Sequence, residues 1–356
     1  MFADNRRISH RQLFRQLVLG LLGIYLVTVP VTEELRGRQG IFCLLIMGVL
    51  FTVGSVYFTR VRNCYLTPDK YFGKYGSKIF CILYLSYLFV TGVFLLLIIS
   101  RITGRFFIEG SSPVMVITVS AAACYLGSHQ GLERRGRMAE VCFPAVLFVL
   151  LFMMALALTR VRGSYLEVQG AVSPEGMLWG SYRLFCTFLP VFILPFTLGN
   201  VEKAGSSGKA QKGAVLLITG VLCAGLILLQ GAFGVNGYSQ KGYPVFDMMA
   251  GVDLPGDFLE RIDIFFIAAV MFGIFFSLGS VFFYNHEILY RGHMEKGAPY
   301  LAAAILVCAV ACEKAGMNPE WYRKVMEYVY GPLFLLLSAA AWIAYGRGKH
   351  HDKENS

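Results

Sequence analysis

The sequence predicts an all-α polytopic membrane protein, and three observations support this: composition, the length of its apolar runs and the placement of basic residues. Of 356 residues, 56% are hydrophobic and only 15% are charged, and the mean hydropathy is +0.59. Soluble domains average about 25% charged residues. A soluble fold of this composition has too few polar side chains to cover its surface. The composition therefore excludes a soluble nucleic-acid-binding protein, a secreted disulfide scaffold and a disordered chain.

Ten apolar runs have about the length of a transmembrane helix, roughly 20 residues. They lie at 14–31, 40–58, 79–100, 113–128, 141–159, 181–200, 213–235, 262–284, 299–312 and 329–345. The first run has the charges of a signal peptide but lacks a small-residue cleavage site, so we expect it to be retained. The sequence thus predicts about ten transmembrane helices.

Basic residues set the predicted orientation. The formal net charge is +10, and cytoplasmic loops of membrane proteins carry an excess of Lys and Arg. With the N-terminus inside, the inner segments hold 20 Lys and Arg and the outer loops hold 11. We therefore expect both termini inside, and we assign the charge to membrane orientation with no nucleic-acid partner.

The odd number of spans in each half suggests an internal symmetry. Five spans place the second half in the opposite orientation to the first, which is the inverted repeat of many secondary transporters. We predict a single membrane domain with a first repeat at 14–159, a second at 181–345 and a cytoplasmic tail at 346–356.

Helices 1 and 6 are predicted to be broken, because they hold helix-weakening residues at matching places. The first contains Gly20 and Gly23 and is followed by Pro30, and the sixth contains Pro190 and Pro195. Proline removes a backbone donor and clashes with the preceding turn. Broken helices of transporters form the substrate site. Simple kinks remain the alternative, since Gly and Pro are common in membrane helices.

The spans lack the residues of an ion-coupled pump or an enzyme. No Asp, Glu, Lys or His falls in the middle of a predicted span, and all six histidines lie in tails or inner loops. Intramembrane ionisable groups are costly and mark proton relays and ion paths. The nine cysteines show no ligand spacing. We predict no enzymatic activity, no metal site and no cofactor.

Neutral polar residues recur at helical spacing on two spans. Tyr84, Tyr87 and Thr91 share one face of the third, and Gly273 and Ser277 begin a small-residue stripe on the eighth. Such residues either line a cavity or pack helices together, and the sequence leaves both open. A neutral cavity suits a zwitterion, with its carboxylate at helix N-terminal amides and its ammonium at unwound carbonyls.

The predicted ligand site therefore lies between broken spans one and six, with spans three and eight as walls. Its predicted residues are Gly20, Gly23, Ile24, Tyr84, Tyr87, Thr91, Thr187, Phe188, Pro190, Gly273 and Ser277.

The loop after the seventh span contains two further predicted features. Residues Pro244 to Ala250 are expected to form a short helix over the outer mouth. Asp257 and Arg261 are spaced to pair across one helical turn at the start of the eighth span.

Three stretches resemble a known family. They are Ile8-Ser9-His10-Arg11-Gln12-Leu13-Phe14, then Gly131-Leu132-Glu133 with Arg137-Met138-Ala139-Glu140 and Pro144, and finally Tyr243-Pro244 with Phe258-Leu259-Glu260-Arg261-Ile262-Asp263. In order and spacing they resemble the B subunits of endospore germinant receptors, the spore germination permease family of the amino acid–polyamine–organocation superfamily.

The resemblance implies an amino-acid-transporter-like fold that senses a small-molecule germinant, often an amino acid. It also implies assembly with A-type and C-type receptor subunits in the lipid bilayer of the spore inner membrane. Two alternatives remain: a uniporter or exchanger of amino acids or similar small organic solutes, and an assembly subunit whose pocket is no longer used.

Overall fold

Helices make up nearly all of the structure, a computed structural model that describes residues 7–31, 35, 37–129, 131–167, 172–202, 204–237, 240–252, 262–318 and 320–354. The α-helices are α1 His10–Thr28, α2 Gly37–Leu66, α3 Pro68–Ile102, α4 Pro113–Ser128, α5 Gly131–Ala157, α6 Gly163–Glu167, α7 Pro174–Thr187, α8 Ala204–Gly237, α9 Pro244–Met249, α10 Asp263–Arg291, α11 Ala298–Lys314, α12 Glu320–Val325 and α13 Gly331–Glu354. The described residues contain no strand, only one bridge between Ile8 and Val201.

The helical membrane architecture predicted from the sequence is confirmed. Eight helices of the described chain are long and apolar enough to cross a membrane. The other two predicted spans coincide with α1 and with the 16-residue apolar α4. The chain is a multi-pass membrane protein, while the count of ten spans and the inverted repeats remain predictions.

Helix α1 lies at the centre of the bundle, in contact with α5, α8 and α10. Its start is fixed by a capping box, in which Ser9 and Gln12 exchange backbone and side-chain hydrogen bonds of 3.0 and 3.2 Å. Nearly every residue from Leu17 to Val27 is buried. A helix that is apolar on all sides is expected to be surrounded by other helices.

The first span is not broken at its glycines, contrary to the prediction. Helix α1 runs through Gly20 and Gly23 without interruption. Its geometry tightens only in a 3-10 turn at Val29–Val31, which contains Pro30. Glycine costs about 1 kcal/mol in a helix interior, and contacts with neighbouring helices offset such a cost here.

The predicted break in the sixth span is confirmed. Helix α7 ends at Thr187, and the chain continues as a 3-10 helix at Leu189–Phe196. Pro190 and Pro195 lack the N–H groups that an α-helix needs. The span therefore presents an irregular backbone to the helices beside it.

Several spans begin earlier than predicted, among them two with charged first turns. Helix α5 begins at Gly131, and the helix that forms the last span begins at Glu320 and passes through a π-helical turn at Met326–Tyr330. Charged first turns hid both starts, because the apolar-run criterion stops at such residues.

The predicted short helix after the seventh span is present as α9. Its apolar side chains, Val245, Phe246, Met248 and Met249, are buried. Asp257 and Arg261 lie outside the described residues.

Candidate functional site

A cavity of about 70 Å³ lies where α1, α3, α5, α10 and the 3-10 segment Leu189–Phe196 meet. A single buried water needs roughly 10–15 Å³ of cavity volume, so the cavity has room for several waters or a small organic solute. Its lining residues are Leu13, Gln16, Leu17, Gly20, Leu21, Ile24, Tyr87, Leu88, Thr91, Leu132, Arg135, Pro190, Ile193, Leu194, Thr197, Phe276, Ser277, Ser280, Val281, Phe283 and Tyr284.

Six of the predicted ligand residues line this cavity together, although they come from four separate segments. They are Gly20, Ile24, Tyr87, Thr91, Pro190 and Ser277. The four segments are α1, α3, α10 and the 3-10 helix of the sixth span. The arrangement agrees with the predicted position of the site, between the first and sixth spans with the third and eighth as walls.

Serine 277 joins α10 to α1 at the cavity wall. Its hydroxyl lies within hydrogen-bond distance of the carbonyl oxygens of Gly20 and Gly273, the latter at 2.9 Å. A hydroxyl has one proton to donate, so it satisfies one carbonyl at a time. Ser277 therefore serves helix contact as well as lining the cavity.

Two hydroxyls on α3 face the cavity with different surroundings. The Thr91 hydroxyl lies 3.3 Å from the Tyr322 hydroxyl. The Tyr87 side chain is fully buried, and its hydroxyl lies near those of Thr91 and Tyr322 without a well-formed hydrogen bond among the described residues. Leaving a buried polar group unpaired costs about 1–3 kcal/mol. The Tyr87 hydroxyl is thus available to a ligand or water.

The other five predicted residues lie outside the lining. Gly23 and Gly273 touch each other, and a Cβ added to Gly23 would come within 2.7 Å of the Gly273 backbone. The Tyr84 hydroxyl lies 2.9 Å from that of Tyr65. Thr187 donates to the Arg183 carbonyl at 2.9 Å.

Phe188 packs against other aromatic rings and does not line the cavity. Its ring stacks on Tyr25, with ring centroids 4.2 Å apart, and on Phe51 at 5.4 Å. It occupies the junction between α7 and the 3-10 segment, so it supports the wall to which Pro190 belongs.

The cavity contains one charged residue, Arg135, which the sequence analysis placed in an inner loop. It is only 8% exposed, and its Nη2 donates to the Phe276 carbonyl oxygen at 3.2 Å and to the Ser280 hydroxyl. Its guanidinium also lies over the rings of Phe276 and Phe283, 4.6 and 5.6 Å from the centroids. Such cation–π contacts stabilise a desolvated cation by about 2 kcal/mol or less.

A signal for Arg135 is present in the sequence. Leu132, Arg135, Gly136 and Ala139 recur at helical spacing and form the buried face of the first turns of α5. Reading that stripe as the beginning of a helix would have placed the arginine toward the bundle interior.

Four further polar lining residues were also missed: Gln16, Thr197, Tyr284 and Ser280, the last of which accepts from Arg135. The Thr197 and Tyr284 hydroxyls lie 3.1 Å apart. The Gln16 amide nitrogen is buried without a hydrogen-bond partner in the described chain. Among the described lining residues there is no carboxylate, so the cavity is polar in patches and carries a net positive charge.

Comparison with known sequences decides the family. The family model described as spore germination protein matches residues 7–312, most of the chain. The chain belongs to the spore germination protein family. It is 22% identical to spore germination protein YndE of Bacillus subtilis (strain 168) over 288 residues, 77% of this chain and 78% of that protein. Identity to spore germination protein KB of the same strain is also 22%, over 98% of both chains.

Solved structures share the fold of this spore germination protein family member. A Na⁺-coupled sialic acid symporter in its substrate-bound outward-open state superimposes with a TM-score of 0.68 at 11% identity, covering 95% of this chain and 79% of that one. A manganese transporter of Eremococcus coleocola gives 0.64 at 12% identity, covering 96% and 78%. The fold is that of membrane transporters, and together with the family it identifies a non-enzymatic membrane protein.

Proposed function

We propose that this chain is the germinant-sensing membrane subunit of a spore germination receptor, and that it binds a small molecule such as an amino acid in the cavity beside α1. The observation that carries the proposal is the cavity itself, where the fully buried Tyr87 hydroxyl makes no well-formed hydrogen bond among the described residues. A pocket that is mostly apolar with a few convergent polar groups is the usual form of a small-molecule site.

Membership of this family supports a role in spore germination rather than in nutrient uptake. Both relatives carry names of spore germination proteins. Assembly with A-type and C-type receptor subunits in the spore inner membrane, with both termini inside, is part of the same proposal.

Transport is the second candidate function, favoured by the likeness to a symporter and a manganese transporter. Two experiments separate sensing from transport: deletion of the gene for this chain in the spore-forming host, and an uptake assay on the purified chain. Sensing predicts that spores lose the response to at least one amino acid tested singly and that the level of the A-type subunit falls. Transport predicts that the purified chain in proteoliposomes takes up that amino acid. Normal germination to every amino acid, with unchanged A-subunit level, would contradict the sensing function.

A further inference from the structure

The buried guanidinium of Arg135 has no counter-ion among the described residues. It lies in the cavity wall at 8% exposure, and no carboxylate of the described chain pairs with it. A buried charge is costly unless it is paired and hydrogen-bonded. Polar or charged groups kept at such a cost are found at functional sites.

The contacts that Arg135 makes leave part of its hydrogen-bonding capacity unused. Both of its hydrogen bonds come from Nη2, whereas a guanidinium has five N–H donors. The two acceptors do not need it, because the Ser280 hydroxyl already donates to the Phe276 carbonyl at 2.9 Å within α10. Donors on Nε and Nη1 therefore remain for a group inside the cavity.

Gly279 on α10 leaves room for the Arg135 side chain. A Cβ added to Gly279 would come within 2.9 Å of the Arg135 Nη1 atom. The glycine thus allows the Nη1 atom of Arg135 to approach α10 closely.

Helix α1 offers no competing anion site. The sequence led us to expect that helix N-terminal amides of a broken span would bind a carboxylate, but α1 is continuous through Gly20 and Gly23. Amides inside an α-helix donate to carbonyls four residues back and are not free. A carboxylate in this cavity would meet the guanidinium instead.

We infer that the cavity binds a small monocarboxylate, and that Arg135 is the residue that recognises its carboxylate group. Guanidinium groups suit carboxylates because their paired donors match the two oxygens. The aliphatic part of the ligand would lie among Leu17, Leu21 and Leu194, which line the rest of the cavity. This inference deepens the proposed function by naming the ligand class of the same site.

The test uses the purified full-length chain in lipid nanodiscs, with thermal stabilisation as the measure of binding. The probes are two pairs matched in size, propionate with propionamide and L-alanine with L-alaninamide. We expect the carboxylates to raise the melting temperature and the amides to leave it unchanged. In Arg135→Gln the apparent carboxylate affinity should fall about 10- to 150-fold, the range for a hydrogen bond to a charged group. Arg135→Lys should keep part of the carboxylate affinity.

Arg137→Gln is the matched control, because Arg137 lies on the same helix but pairs with Glu133 at the exposed surface. It should bind the carboxylates as the wild type does. Without ligand, Arg135→Met should melt no lower than the wild type, since it removes a buried unpaired charge; a purely structural arginine would lower the melting temperature when replaced. Equal stabilisation by amides and carboxylates, no stabilisation by either carboxylate, or full carboxylate binding by Arg135→Gln would overturn the inference.

The proposed function can fail separately. Carboxylate binding that depends on Arg135 in a chain whose deletion leaves germination normal would overturn the sensing function alone. A germination defect in a chain that binds amides as well as carboxylates would overturn the ligand class alone.

Discussion

Glycine 23 of α1 and Gly273 of α10 lie backbone against backbone, and a Cβ added to Gly23 would come within 2.7 Å of the Gly273 carbonyl carbon. Small residues let membrane helices approach closely, and van der Waals packing then drives their association. This contact holds α10 against α1 outside the cavity lining. It therefore fixes the distance between two cavity walls without touching the ligand space.

Replacing Gly23 should reduce stability, whereas replacing Gly20 with alanine should not. Gly23→Ala forces the α1 and α10 backbones apart, and overpacking of this kind costs about 1–3 kcal/mol. At Gly20 an added Cβ meets the Phe276 ring at 3.6 Å and the Ser280 hydroxyl oxygen at 3.9 Å, both ordinary contacts. Melting temperatures of the two variants in nanodiscs test this. Equal melting temperatures would mean that the glycine contact does not hold the helices together.

Removing the Tyr87 hydroxyl should weaken the germinant response with little loss of stability. The hydroxyl makes no well-formed hydrogen bond in the described chain, although the Thr91 and Tyr322 hydroxyls lie near it, so a ligand or water loses the main hydrogen bond. One neutral hydrogen bond contributes about 0.5–1.5 kcal/mol, which is roughly a 2- to 13-fold rise in the half-maximal germinant concentration.

Tyr84→Phe is the matched control for Tyr87→Phe. Both tyrosines are fully buried on α3, but the Tyr84 hydroxyl bonds to Tyr65 at 2.9 Å and lies outside the cavity lining. Its loss should lower the melting temperature and leave the dose–response unchanged. The reverse pattern would place the site on the Tyr84 side of the helix.

Replacing Glu327 should destabilise the protein, because this buried carboxylate lies between two arginines. Arg183 and Arg323 approach it at 3.4 and 3.6 Å. Glu327→Gln leaves both guanidiniums short of a counter-ion, at a cost of about 1–3 kcal/mol. Glu133→Gln, which breaks an i,i+4 pair with the half-exposed Arg137, should cost less than about 1 kcal/mol. Chemical denaturation in detergent compares the two variants.

Orientation in the membrane is a prediction of the basic-residue distribution. An impermeant thiol reagent added outside intact cells should label Glu109→Cys and should not label Lys74→Cys, both at exposed positions. Labelling of Lys74→Cys from outside would reverse the predicted topology.

Hydrophobicity alone located the spans, but it did not show where several of them start. Each apolar run coincides with a helix, because about 20 apolar residues in sequence have few other stable forms in a bilayer. The first turns of α5 were missed because Arg135 and its charged neighbours interrupt the apolar run. The helical spacing of the stripe that contains Arg135 indicates its inward face, and the packing of α5 on α10 shows it.

Helical spacing predicted which helix faces form the site, but not which residues on each face line the cavity. Tyr84 and Tyr87 share a face of α3, yet one meets Tyr65 and the other meets the cavity. The same holds for Gly20 and Gly23, which are one turn apart and contact different parts of α10. Which residue of a stripe lines a cavity depends on the neighbouring helices, and a single sequence does not contain that information.

The most direct test is the germinant dose–response of spores that carry Gly20→Leu. Gly20 lines the cavity, and its added side chain would extend toward Phe276 and Ser280 on the cavity wall. Gly220→Leu is the matched control, because Gly220 is exposed on α8 with open space beside it. With equal protein levels, we expect Gly20→Leu to raise the half-maximal concentration about tenfold or more, equivalent to roughly 1.4 kcal/mol, and Gly220→Leu to leave it unchanged. An unchanged value for Gly20→Leu would show that germinant does not bind in this cavity.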